Sequence, residues 1–327
     1  MTLVGPIPRS AAITIPGRHV WCCAPALTAD GRCHALISTW PESAGFEAWV
    51  THSEVWHAEA SSPAGPFTVT GPVLAGSGGA GWDGRVVHNP CLLPWDGRWV
   101  VFYMGTTGPD LPPGHTVADA TWWAYRNRQR IGVAVADHPR GPWTRLDRPL
   151  IDVEPEGWVH LMTSNPAVAR APDGSWRMIF KTVEAGPAPF GGRVLHAVAT
   201  AASPLGPWTR APEPVFTAAG VRFPVEDPCL WWQDEMWHAI VSDHRGTFTG
   251  AGRSWARFRS ADGVAWEPAA QPLAARLELP WADGAVEPVE RFERPQVLLV
   301  DGAPRWIAGA AKRGAHSCAV IAPWTRG

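Results

Sequence analysis

The sequence is short of charge. Only 18% of its 327 residues are Asp, Glu, Lys or Arg, and just two of the 28 basic residues, Lys181 and Lys312, are lysines. Those 28 bases against 30 acids leave a formal net charge of −2. No basic stripe can follow a nucleic-acid backbone, and no polybasic segment can hold an anionic membrane surface. No stretch approaches the roughly 18 uncharged apolar residues of a membrane span. The segment from Met1 to Val20 lacks the apolar core of a secretory leader. These absences point to a soluble, cytoplasmic protein without nucleic-acid or membrane partners. The six cysteines (Cys22, Cys23, Cys33, Cys91, Cys229, Cys318) form no CxxC pair and no regular spacing. Neither a disulfide framework nor a zinc site is indicated, and buried free thiols are expected.

What the chain has in quantity is Trp, Gly and Pro, at 21, 33 and 34 residues, a composition suited to many short strands joined by tight turns. A unit recurs five times: a dipeptide ending in Pro, an apolar strand, a DG-type turn and an aromatic-rich second strand. The copies are CAPALTADGRCHALIST from Cys23, HNPCLLPWDGRWVVFYM from His88, SNPAVARAPDGSWRMIF from Ser164, EDPCLWWQDEMWHAIVS from Glu226 and ERPQVLLVDGAPRWIAG from Glu293. Their prolines, Pro25, Pro90, Pro166, Pro228 and Pro295, stand 65, 76, 62 and 67 residues apart, room for four strands each. A second motif follows in most copies: SPAGPF at Ser62, HPRGPW at His138, SPLGPW at Ser203 and the looser SADGVAW at Ser260. This predicts an all-β chain, residues 1–327 forming a single five-bladed propeller of four-stranded antiparallel blades. The fifth copy lacks its outer-strand motif, and Ala11 to Ile15 can supply that strand and close the ring. The Trp and Phe of the GPW and GPF motifs recur from blade to blade and are read as packing between blades.

Antiparallel meandering puts the residues before each proline on the same face as the loops between second and third strands. That face is polar: His88 and Asn89, Ser164 and Asn165, Glu226 and Asp227, and Glu293 and Arg294 precede prolines, while His52, Ser53 and Glu54 begin the third strand of blade one. Blade two carries a long insertion from Gly105 to Arg130, rich in aromatic and basic residues including Arg128, and long loops in compact domains tend to be functional. Lys181 follows a second strand on this face, as does Asp243 with His244 and Arg245 in blade four. The GSGGAG run at Gly76 lacks the GK[ST] of a phosphate loop, and no cofactor is required by any motif.

The HNP, SNP, EDP and ERP openings, with RIGVAVADHPRGPW from Arg130, resemble bacterial proteins related to glycoside hydrolase family 43. The likeness spans nearly the whole chain, and its GPW element is shared with the five-bladed propellers of families such as 32, 62 and 117. Family 43 implies cleavage of glycosidic bonds by inversion, with an Asp base in blade one, an auxiliary Asp in blade two and a Glu acid in a later blade. Here Cys23 and Ala24 open the first blade, and His88 and Asn89 the second. The resemblance also makes a calcium ion on the axis, held partly by His88, conceivable.

Glycoside hydrolysis needs one protonated carboxyl and one carboxylate. The position of each carboxyl makes Glu54, Glu226, Asp227 and Glu293 the candidates. Glu226 is expected to be the general acid, its pKa raised by burial and nearby carboxylates. Glu54 is expected to be the base and Glu293 the reserve for either role. Strand alternation keeps Glu226 and Asp227 from both facing the pocket, which leaves Asp227 to order a loop or pair with Arg294. His88, Asn89, Asn165 and Lys181 are candidates for binding sugar hydroxyls; Trp40 and Trp82, at the rim, for stacking on a ring. The expected substrate is a short oligosaccharide or glycoside. Two alternatives stand beside hydrolysis. One is a glycoside phosphorylase using Arg128, Lys181, Arg245, Arg294 and Lys312 for phosphate, and the other is a sugar-binding propeller without catalysis.

Overall fold

The computed structural model describes residues 2–109 and 115–325. Five four-stranded antiparallel sheets follow one another along the chain. Their innermost strands are Arg18–Leu27, Val86–Trp95, Thr163–Arg170, Val225–Gln233 and Arg291–Val300. Each touches the next and the fifth touches the first, so the sheets close into a five-bladed propeller. The short strand Ala12–Ile13 pairs with the third strand of blade five, Ala12 opposite Val320 and Ile13 opposite Ala319. The N-terminal segment thus supplies the outer strand that the fifth repeat lacks and covers part of the third strand's edge. A further hairpin, Glu278–Pro280 with Val286–Pro288, leads into blade five.

Apolar side chains fill the wedges between blades. Phe67, Trp143, Trp208 and Trp266, the aromatics of the recurring second motif, all pack against these buried clusters. All six cysteines are free, five of them buried and Cys318 half-buried. Among the described residues no helix is long and apolar enough to cross a membrane.

One feature of the inner strands builds the site. Each is interrupted by a β-bulge near its start, between Trp21 and Ala24, His88 and Cys91, Ser164 and Ala167, Glu226 and Cys229, and Glu293 and Gln296. In every blade the residue after the first of these has positive φ: Cys22 at 51°, Asn89 at 54°, Asn165 at 52°, Asp227 at 53° and Arg294 at 58°. Asn and Asp tolerate this left-handed conformation best, and the Pro that follows in four blades has no N–H to lose where the ladder is broken. Blade one therefore aligns on Trp21-Cys22-Cys23. The Pro25 signal lies two residues downstream of the place that the other four prolines occupy.

Candidate active site

The bulge overrides strand alternation. A left-handed residue turns two consecutive side chains toward the same side, so Glu226 and Asp227 both line one cavity, as do Glu293 and Arg294, and His88 and Asn89. The expectation that Asp227 must turn away from Glu226 fails for this reason.

The five bulge side chains meet at the axis in a ring, one from each blade. The Cys22 thiol lies 2.8 Å from Asn89 Oδ1, Asn89 Nδ2 donates to Asn165 Oδ1 at 2.7 Å, and Asn165 Nδ2 donates to Asp227 Oδ1 at 2.7 Å. Arg294 Nη1 donates to the same Asp227 oxygen at 3.0 Å, and its guanidinium acts in turn on Cys22. Burial pushes the Cys22 thiol up to about 12 and raises Asp227, although Arg294 opposes the latter. Four of its members, Asn89, Asn165, Asp227 and Arg294, floor a cavity of about 90 Å³ whose walls include Trp21, Trp40, Phe46, Trp49, His88 and Lys181.

Above the floor stand two carboxylates with opposite environments. Glu226 is flanked by Lys181 Nζ on one oxygen and by His244 Nε2, 3.3 Å away, on the other. Burial pushes its pKa up, but the Lys181 ammonium and the His244 contact outweigh it and hold Glu226 well below the usual carboxylate range. Glu293 is pushed up to about 7, first by burial and then by the charge of Asp227, against the pull of Arg253, which its Oε1 contacts. The elevation expected at Glu226 thus falls on Glu293, because the pocket's one lysine is spent on Glu226. His88 donates or accepts at Nδ1 with Ser53 Oγ, 2.7 Å away, and stacks on Trp49. Burial, with Arg294 and Lys181 nearby, keeps it neutral, its pKa well below the ordinary value.

Several expected residues lie elsewhere. Glu54 is tied to Arg18 Nη2 at 2.6 Å and to Trp56 Nε1 at 2.9 Å, outside the cavity. His52 is exposed, stacks on His115 and bonds Thr51. Trp82 stacks on Tyr103, and adjacent Asp83 accepts from Arg145 and Tyr103. Trp40 does border the cavity, yet it sits in a strand, fully buried, with Nε1 on the Gly45 carbonyl. It is wall rather than rim. Asp243 is a loop staple, accepting the backbone N–H groups of Thr247 and Phe248 at 2.8 Å and of Thr249 at 3.1 Å. Arg128 follows the helix Ala120–Asn127 and lines neither this cavity nor the chamber beside it. Lys312 is held by Glu290. Sequence reasoning missed Trp49, Arg253 and Arg291. The first two lie in loops between second and third strands, where the face argument places function.

The residues around His88 do not suit calcium. That ion takes six to eight oxygen ligands, several of them carboxylates, whereas here the axis carries a thiol, two amides and the Arg294 guanidinium beside a single paired Asp. Among the described residues one group has metal-ligand chemistry, His34, His57 and Glu59 at the opposite end of blade one. There Arg140 and Arg32 already engage Glu59.

No family model matches the chain, and no curated protein matches it in sequence. Solved structures do match in fold. A family 117 glycoside hydrolase of the marine bacterium Zobellia galactanivorans superposes with a TM-score of 0.64 at 18% identity, covering 99% of this chain and 88% of that one. A family 43 β-xylosidase/α-arabinofuranosidase from a compost microbial metagenome, in complex with xylotriose, gives 0.63 at 12% identity over 100% and 95%. An endo-arabinase from Bacteroides thetaiotaomicron gives 0.57 at 14% over 99% and 98%. At these identities the likeness establishes the five-bladed propeller, and the chemistry rests on the residues described above.

Proposed function

We propose that the chain is a glycosidase that removes a terminal sugar from a short oligosaccharide or glycoside. The observation that carries this reading is the pairing, in one cavity, of Glu226 held ionised with Glu293 held protonatable near neutrality. Two carboxyl groups pushed apart in pKa are what acid and base roles in glycoside cleavage require. Glu293 is assigned as the proton donor to the leaving oxygen and Glu226 as the carboxylate that activates water or attacks the sugar. This reverses the role expected of Glu226 and moves the base from Glu54, which Arg18 neutralises outside the cavity. Neutral His88, with the aromatic wall of Trp21 and Trp49, is suited to holding a sugar ring. Asn89, Asn165 and Asp227 belong to the axial ring and position the floor. The glycosidase folds of the structures matched above are consistent with this assignment.

One observation favours binding without catalysis: blade one offers Cys22, a protonated thiol, where the family 43 resemblance implies a carboxylate base. Sugar release from a panel of aryl furanosides and pyranosides, with and without phosphate, decides between the readings. Release without phosphate supports the glycosidase, release that needs phosphate the phosphorylase, and sugar binding with no release the binding propeller.

A further inference from the structure

Beside the inner cavity lies a larger chamber of about 380 Å³, and the two share Trp49, Lys181, Glu226 and Arg291. The inner cavity ends blind on the axial ring, so a terminal sugar seated there leaves its neighbour in the outer chamber. That chamber is walled by Trp122, Trp123, Phe190 and Phe223 together with Arg126 and Arg222. Its charges do not balance. Lys181 is paired with Glu226, and Arg291 lies 3.3 Å from Glu47. Among the described residues Arg126 and Arg222 form no ion pair. Arg126 Nη1 donates to Asn127 Oδ1 at 2.8 Å. Arg222 donates to the main-chain carbonyls of Gly192 and Gly191, both at 2.9 Å. These bonds fix the guanidinium groups without neutralising them. Burial, helped by Arg222, pulls Arg126 down to about 10 against the charge of Glu226.

We propose that this outer chamber receives a sugar bearing a carboxylate, a uronic acid next to the sugar that is cleaved, with its carboxylate between Arg126 and Arg222 and its ring against the aromatic wall. Guanidinium groups suit planar carboxylates better than an ammonium does, since they can donate two parallel bonds. The inference rests on the glycosidase reading only for which sugar is cleaved; the recognition of the acid does not.

The test is calorimetric titration of the full chain with digalacturonic acid and with neutral galactobiose, at low and high salt, for wild type, Arg126→Gln and Arg222→Gln. We expect the acid to bind roughly tenfold or more tightly than the neutral sugar, with the preference shrinking at high salt and in each Gln variant. Arg→Lys variants, which keep the charge, should restore part of it. Should the Gln variants fail to fold by circular dichroism, the wild-type comparison across salt decides alone. Equal affinity for both sugars, or a preference that neither salt nor substitution changes, overturns the proposal. So does competition by inorganic phosphate coupled to phosphate-dependent turnover, which would assign the pair to phosphate. Acid-selective binding with no sugar release would leave the chamber's assignment standing and remove the hydrolytic one. Release from neutral substrates with no acid preference would do the reverse.

Discussion

Arg294 Nη1 donates to Asp227 Oδ1 across 3.0 Å, with side chains only 2% and 5% exposed, at the point where the five blades meet. This pair joins the fifth blade to the fourth, and through Asn165, Asn89 and Cys22 the contact runs around the whole axis.

A buried pair that loses one member leaves the other charge uncompensated. Arg294→Met is therefore expected to destabilise the fold by about 3–5 kcal/mol, read as a lower urea midpoint. Asp227→Asn should cost at least as much, since the amide keeps the hydrogen bonds but leaves the buried Arg294 guanidinium, which cannot shed its charge, without its anion. Equal midpoints for Arg294→Met and wild type would show that the ring does not tie the blades together.

With Glu293 proposed as acid and Glu226 as base, kcat/KM is expected to show a bell-shaped dependence on pH. Glu293 must carry its proton, so activity is expected to fall as pH rises through about 7. Glu226 must be ionised, and with its pKa held low by Lys181 and His244, the acid limb lies well below pH 4.5. Stability carries the same signature. Glu293, raised in the folded state, favours folding less as pH climbs from its unfolded value through 7, so Glu293→Gln should gain stability relative to wild type between pH 5 and 8. A Tm difference that stays flat over that range contradicts the elevated Glu293.

Lys181 sets the charge of Glu226. Lys181→Met removes the largest influence holding that carboxyl down and leaves burial to raise it. The acid limb of the kcat/KM profile should move toward neutrality, with at least about tenfold loss of activity at pH 5. An unmoved limb would separate Lys181 from Glu226.

Asp243 organises the loop that brings His244 to Glu226. Asp243→Ala strands three backbone N–H groups, Thr247, Phe248 and Thr249, and is expected to cost about 2–3 kcal/mol. Amide exchange at these three positions should speed up. Unchanged protection there would mean the loop holds itself.

The architecture is legible in the sequence because most blades repeat the same punctuation. Pro after the bulge, DG at the hairpin and the aromatic of the second motif each answer a local steric demand, and local demands show in sequence. Even Ala12 and Ile13 could be assigned, since a missing outer strand has to come from somewhere. In blade one Cys23 stands where the other bulges have proline, and Pro25, two residues downstream, mimics the signal. The site was legible by face but not by role. Glu226, Glu293, His88 and Lys181 were found from their places before prolines or after second strands. Which carboxyl would be protonated depended on whether Lys181 and His244 approach Glu226 or Glu293, a matter of blade closure that no spacing encodes. Glu54 pointed the wrong way because Arg18, across two strands, captures it.

The most direct test compares wild type, Glu293→Gln and Glu226→Gln on two aryl glycosides of the same sugar, one with a dinitrophenyl leaving group and one with an unactivated aglycone. A lost proton donor matters little when the leaving group needs no proton. We expect Glu293→Gln to retain most activity on the dinitrophenyl substrate and lose it on the other, while Glu226→Gln loses both. Equal losses in the two variants on both substrates, or the reverse pattern, would contradict the assignment of acid and base on which the account stands.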